Sequence, residues 1–329
     1  TDNAGNVDAT PVSFTWTVDT IAPETTLVSA PATFTNNTTA TFNFSSNESP
    51  VSYEMSTNGT DYFATFSSPI TFSNVGQGTR TFTFRAKDSA GNVDPTPVSH
   101  TWTVDTTPPA APVTVAPANG STTNDNTPTY SGTAEAGSTA AVIVDGSYTG
   151  TTTATGGSWT FTQATPLADG SHTVYATATD AAGNTSGNSS TNTFSVDATP
   201  PPAPVAVTPA NGSRTSDNTP TYTGTAEAGS TVSVIVDGTP VGNATVTGGN
   251  WTYTPGTPLA DGSHTVRATA TDSAGNTSPT SNTNTFTVDT TPPPAPVVTV
   301  PANGSTTNDS TPTISGTAET SSTVTVIVD

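Results

Sequence analysis

The sequence contains no cysteine, so no disulfide staples its domains, and cysteine usage leaves the redox compartment open. Basic residues are nearly as scarce: 5 Lys plus Arg stand against 25 Asp plus Glu, for a formal net charge of −20. A surface this acidic repels phosphate backbones and anionic lipid, which excludes nucleic acid as a partner and makes cations the natural small ligands. No run of about 18 apolar residues exists, so no membrane span is expected. The sequence opens on Thr1 rather than Met, with no charged-then-apolar leader, and any secretion signal is expected outside this stretch. Helical periodicity is absent as well. With 31% apolar and 9% charged residues the composition approaches that of disordered chains, but the abundant threonines alternate with Val, Phe and Ala, and such alternation marks strands.

What organises the chain is repetition. A strand-like run ending in aspartate and running into a stiff proline segment occurs at Val18-Asp19, Val104-Asp105, Val196-Asp197 and Val288-Asp289. The period is roughly 90 residues, long enough for each unit to bury its own core, which predicts a string of small domains and not a solenoid. The predicted divisions are residues 1–19, the end of one repeat; 20–105, a divergent repeat; 106–197 and 198–289, two close copies; and 290–329, the beginning of another, with a third strand over 323–328. Seven short strands separated by Gly, Pro, Asn and Asp turns can be counted in each of the two close copies. This predicts an all-β chain of tandem immunoglobulin-like β-sandwich domains in an elongated array.

Counting strands up and down a seven-stranded sandwich brings three recurring acidic positions to one end. Asp19, Glu48 and Asp88 form one set, Asp105, Glu135 and Asp180 the next, and Asp197, Glu227 and Asp272 a third; Asp289 and Glu319 begin a fourth. Three carboxylates about 5 Å apart repel by roughly 3 kcal/mol per pair at an effective dielectric near 20, so their convergence makes sense around a cation. Hard oxygen ligands on flexible loops select Ca2+, predicted here at the inter-domain junctions, with backbone carbonyls and water completing the shell. The alternative is that they are ordinary turn aspartates. For Asp125, Asp217 and Asp309, and for Asp169 and Asp261, at the opposite pole, Asx-turns and strand caps are the expectation.

No enzymatic constellation is expected. His172 and His264 share one repeated position, occupied by Arg80 in the divergent copy, and read as corner histidines because Ser171 and Asp169 lie too close along the backbone to build a triad. Trp16, Trp102, Trp159 and Trp251 fall at inward-facing positions and are expected in cores, with sugar stacking as the alternative. Alternating threonines such as Thr177 and Thr179 reflect β propensity rather than an ice-binding face.

Gly224-Thr225-Ala226-Glu227-Ala228-Gly229-Ser230, Val234 to Gly238, Pro258 to Val266 and Ala270 to Thr277 resemble the bacterial Ig-like repeats of large surface adhesins, and the same marks run through 106–329. Residues 1–105 resemble a related Ig-like repeat, with Ala90 to Pro97 as its tag. The resemblance implies extracellular stalk modules of biofilm or attachment proteins, often exported by type I secretion, with calcium stiffening the junctions. Relatives of the divergent repeat often carry cysteines at the positions of Met55 and Phe66, and their replacement here implies a purely packed core.

The expected function is a non-enzymatic extender at the bacterial cell surface whose partners are the neighbouring repeats, with host or biofilm ligands engaged through other regions. Two other readings are a module that itself binds glycan or a receptor, and a spacer in a secreted polysaccharide-active enzyme.

Overall fold

The computed structural model describes residues 1–10 and 12–328. Among the described residues there is no helix, and hence none long and apolar enough to cross a membrane. The chain divides into two compact units, residues 1–122 with 126–196 and residues 123–125 with 197–329.

In the first unit, the strands Thr25–Ser29, Ala40–Ser46 and Ile70–Phe72 make a three-stranded sheet. It faces a five-stranded sheet whose order is Phe34–Thr35, Val98–Val104, Gly78–Asp88, Val51–Ser56 and Phe63–Phe66. Alternation dictates this. Phe42 and Phe44 point inward from one sheet, Phe84, Ala86, Trp102 and Val104 from the other, and all are buried. Phe42 is the hub, with ring centroids 4.8 Å from Phe84 and 5.4 Å from Trp102. Met55 and Phe66 both join this core, but Met55 lies opposite Phe63 and Phe66 opposite Tyr53 across the hairpin.

The same plan recurs twice, once over Val113–Val196 and once, in the second unit, over Val205–Val288. Here small residues replace the phenylalanines: Val232, Val234, Val236, Val266, Ala268 and Ala270 face Tyr222 and Trp251. A glycine makes room for each tryptophan. A Cβ on Gly132 would lie 2.6 Å from the Trp159 ring and would collide with the Val113 carbonyl, and Gly224 stands in the same relation to Trp251 and Val205.

Each of the two close copies has eight strands, not the seven counted from sequence, and the divergent repeat also has eight. The additional element is two or three residues long, Phe34–Thr35, Thr122–Thr123 and Ser213–Thr215. Its pairing is resolved as parallel to the last strand at Phe34↔Thr103 and Ser213↔Phe286. It arises because the first strand ends near a proline such as Pro209, which has no amide to donate, and the chain crosses to the other sheet.

Two further expectations differ. Residues 323–328 form no strand; the last elements are Val297–Val300 paired with Ser315–Thr317, and no described segment offers 323–328 a hydrogen-bonding edge. Trp16 is 78% exposed, whereas Trp102, Trp159 and Trp251 are each 1% exposed, because the described residues among 1–19 form no strand that would give it an inward face.

Candidate metal centre

The last strand of the divergent repeat ends at Val104, and Asp105 continues it by one residue: its amide donates to the Thr35 carbonyl at 2.9 Å. Its own carbonyl accepts from Nδ2 of Asn184, 2.8 Å away in the loop after strand Gly170–Thr179. One residue thus ties two successive repeats. The carboxylate folds back as an Asx-turn, accepting the Thr107 amide at 3.0 Å. Asp197 is held alike, with its amide on Thr123 and its carbonyl on Asn276 Nδ2 at 2.7 Å, and Asp19 accepts from Asn92 Nδ2 at 3.1 Å.

The asparagine also organises its own loop. In Asp180-Ala181-Ala182-Gly183-Asn184, Asp180 Oδ1 accepts the Ala182 and Asn184 amides, both at 2.9 Å, while Oδ2 accepts Asn184 Nδ2 at 2.8 Å. Asp88 with Asn92 and Asp272 with Asn276 repeat the pattern. Burial works against the charge of these aspartates, but the asparagine side chain and loop amides outweigh it, so all three carboxyls lie below the usual carboxylate range.

Sequence counting places a glutamate and a seam aspartate beside each of these loops. For the first set the structure brings them together: Asp19, Glu48 and Asp88 each offer an oxygen, all within 4.8 Å of one another. Glu48 registers the crowding. Its carboxyl is pushed above the usual range, first by desolvation and then by the charges of Asp19 and Asp88. A Ca2+ ion takes oxygens at 2.3–2.6 Å, so three oxygens within about 5 Å can share one ion. Asp88 already accepts N–H donors, but a carboxylate offers about four lone-pair sites, so that commitment does not exhaust it. The donor set fits a hard cation.

The other sets are arranged differently. Among the described residues, neither Asp105, Glu135 and Asp180 nor Asp197, Glu227 and Asp272 gathers into such a group. Glu135 and Glu227 are exposed, and their backbone carbonyls cap Ser138 and Ser230, whose hydroxyls donate at 2.7 Å. Asp289 donates its amide to Thr215, Glu319 accepts the Ser322 hydroxyl through its carbonyl, and both are exposed. Of the opposite-pole aspartates, Asp217 and Asp309 form tight Asx-turns with Thr219 and Thr311.

Two features of this geometry were not anticipated from sequence. The asparagine side chain is the seam contact, although its recurrence at Asn92, Asn184 and Asn276 signals it. The partner of each corner histidine is the aspartate of a Val-Asp-Gly turn: His172 Nδ1 lies 2.7 Å from Asp145, and His264 Nδ1 2.7 Å from Asp237.

The profile of the bacterial Ig-like domain family (Big_13) matches residues 114–198 and 208–290, together just over half the chain. The chain belongs to the bacterial Ig-like domain family. Both matched segments are the sandwiches with the small-residue cores, each carrying the aspartate–asparagine loop and the aspartate–histidine corner. No match is found among curated proteins. Among solved structures the chain is similar to the fibronectin(III)-like modules of Clostridium thermocellum CbhA, with 16% identity, a TM-score of 0.39, and coverage of 54% of this chain and 94% of that one. It is likewise similar to domains A168–A170 of titin, with 12% identity, a TM-score of 0.34, and coverage of 81% and 100%.

Proposed function

We propose that these bacterial Ig-like repeats form an extracellular extender of a surface adhesin, supporting attachment or biofilm formation without catalysis. The observation behind this reading is that the seam aspartates commit their backbone to joining rather than to binding: the amides of Asp105, Asp197 and Asp289 are bonded on one side, and the carbonyls of Asp19, Asp105 and Asp197 accept from an asparagine on the other. The seam proline segments, Pro108-Pro109 and Pro200-Pro201-Pro202, restrict the chain between those bonds.

Calcium adds to this at Asp19, Glu48 and Asp88, where it would neutralise the crowded carboxylates and tie the seam residue to two loops of the repeat that follows. In the later sets the glutamates are exposed and the three carboxylates do not gather, so the calcium joint is assigned to the first set. A calorimetric titration of the full chain with Ca2+ tests this. Heat that saturates with wild type and disappears with Glu48→Gln supports the assignment; no heat with wild type refutes it.

A second reading, a module that recognises glycan, has less behind it, since Trp102, Trp159 and Trp251 are buried and unavailable for sugar stacking. Binding of the intact chain to a glycan array would favour it.

A further inference from the structure

We propose that His264 is a proton-controlled clamp: its imidazolium fixes the loop that grips the chain at Thr290 and Thr291, so that the exit from this repeat tightens and loosens with pH.

The grip is made by Asp261. Its Oδ1 accepts the Thr290 amide at 2.9 Å and the Thr290 hydroxyl at 2.7 Å, and its Oδ2 accepts the Thr291 hydroxyl at 2.9 Å. Asp261 sits in a loop without sheet partners, just before strand Gly262–Thr271, and that loop must itself be anchored. His264 anchors it. Nε2 lies 2.8 Å from the carbonyl of Ala260, the residue before Asp261, and Nδ1 lies 2.7 Å from Asp237 Oδ2. A carbonyl and a carboxylate have no hydrogen to give, so both ring nitrogens donate, and only the imidazolium carries two N–H groups.

The divergent repeat shows the same device in a form that does not titrate. Arg80 occupies the histidine's position, and its guanidinium donates to the Gln77 carbonyl at 3.1 Å. Gln77 grips the exit: Nε2 donates to Thr107 Oγ1 at 2.9 Å, and Oε1 accepts from the Thr106 hydroxyl at 3.0 Å. In both repeats a cation on the penultimate strand holds a backbone carbonyl, and the side chain at or next to that carbonyl holds two threonines of the seam. Arginine stays charged at every accessible pH; histidine does not.

The surroundings of His264 define the window. The charged group facing the ring is Asp237. The last strand offers the Phe286 ring, with centroids 5.9 Å apart, and the loop offers a carbonyl; Asp261 is occupied by the threonines. Tyr222 is pushed up to about 12, first by burial and then by the Asp237 charge, and stays neutral throughout. Burial disfavours the charged ring, but the hydrogen bonds to Asp237 and Ala260 and the Asp237 charge outweigh it, so His264 titrates above the usual histidine value. Its contribution is therefore complete below the unfolded histidine pKa and is lost as pH rises through the folded one. On deprotonation the remaining hydrogen stays on Nδ1 against the carboxylate, the proton from Nε2 goes to solvent, and a lone pair then faces the Ala260 carbonyl.

Amide hydrogen exchange of the full chain, corrected for intrinsic rates, tests this at pH 5.5 and 8.5. Protection at Thr290 is expected to fall about fivefold at the higher pH, the worth of one hydrogen bond, while the Thr106–Thr107 segment is unchanged. His264→Arg is expected to abolish the response. Equal protection of Thr290 at both pH values, an equal fall at Thr106–Thr107, or a response retained in His264→Arg would overturn the proposal. Ring 15N shifts of the unmutated chain give a reading independent of any variant: both nitrogens protonated at pH 5.5 is expected, and a bare Nε2 there would refute it. The proposal rests on these contacts and not on the extender reading. A pH-indifferent exit leaves the extender standing, and absent calcium binding leaves the clamp standing.

Discussion

Replacing Asn184 with alanine removes two hydrogen bonds from one nitrogen, the bond to the Asp105 carbonyl and the bond to Asp180 Oδ2, both 2.8 Å long. The first joins neutral groups and contributes about 1 kcal/mol; the second ends on a carboxylate and would contribute about 1.5–3 kcal/mol. Asp180 is only half-buried, and solvent screening favours the lower end of that range. The sum is about 2.5 kcal/mol for this repeat. A domain of 60–100 residues loses roughly 4–8 °C of Tm per kcal/mol, which converts to a fall of about 10–20 °C. Scanning calorimetry of the full chain reads it directly, since the transition of residues 106–197 should move while the others hold. Asn184→Asp should be worse, because it removes the donor and sets a second negative charge against Asp180. If every transition of Asn184→Ala stays within about 1 °C of wild type, the asparagine is a bystander and the joint is held by something else.

Gly132→Ala should destabilise the same repeat by about 1–3 kcal/mol or more, because the new Cβ would collide with the Val113 carbonyl and lie 2.6 Å from the Trp159 ring; urea unfolding followed by tryptophan fluorescence checks it. In the divergent repeat, Glu54 Oε2 accepts from both Nε and Nη2 of Arg85, at 2.9 and 2.8 Å, and Oε1 accepts from Lys87 Nζ at 3.4 Å. Burial raises its carboxyl, but the hydrogen bonds to Arg85 and Lys87 and their charges bring it below the usual glutamate value. Its stabilisation is thus present above the unfolded glutamate pKa and lost as pH falls through the folded one, so Glu54→Gln should cost about 1–3 kcal/mol at neutral pH and flatten the acid limb of the stability curve.

The sandwich is legible in this sequence because threonine alternates with small apolar residues so regularly that face assignment follows from parity, as in Val232, Val234 and Val236. The seams are legible because Val-Asp followed by proline recurs. What parity cannot show is pairing that lasts two or three residues, as at Phe34–Thr35, where the short segment is fixed by its neighbour and not by its own pattern. The acidic sets could be placed at one end by counting strands, and for Asp19, Glu48 and Asp88 that placement coincides with convergence. Counting cannot say where a side chain points, and Glu135 and Glu227 extend into solvent while Asn184 and Asn276 take the seam carbonyls. The aspartate–histidine corner joins residues 27 apart in sequence through a turn in which Asp237 has φ of 49°, and that contact depends on backbone geometry invisible in composition.

The calcium joint proposed at Asp19, Glu48 and Asp88 would hold the seam residue against the repeat that follows it. Small-angle scattering of the full chain, first with calcium and then with chelator, addresses it most directly. Chelation is expected to change the maximum dimension of wild type and to leave that of Glu48→Gln unaltered. Identical wild-type curves in both conditions would contradict the calcium joint and leave the asparagine bonds and prolines as the whole of the connection.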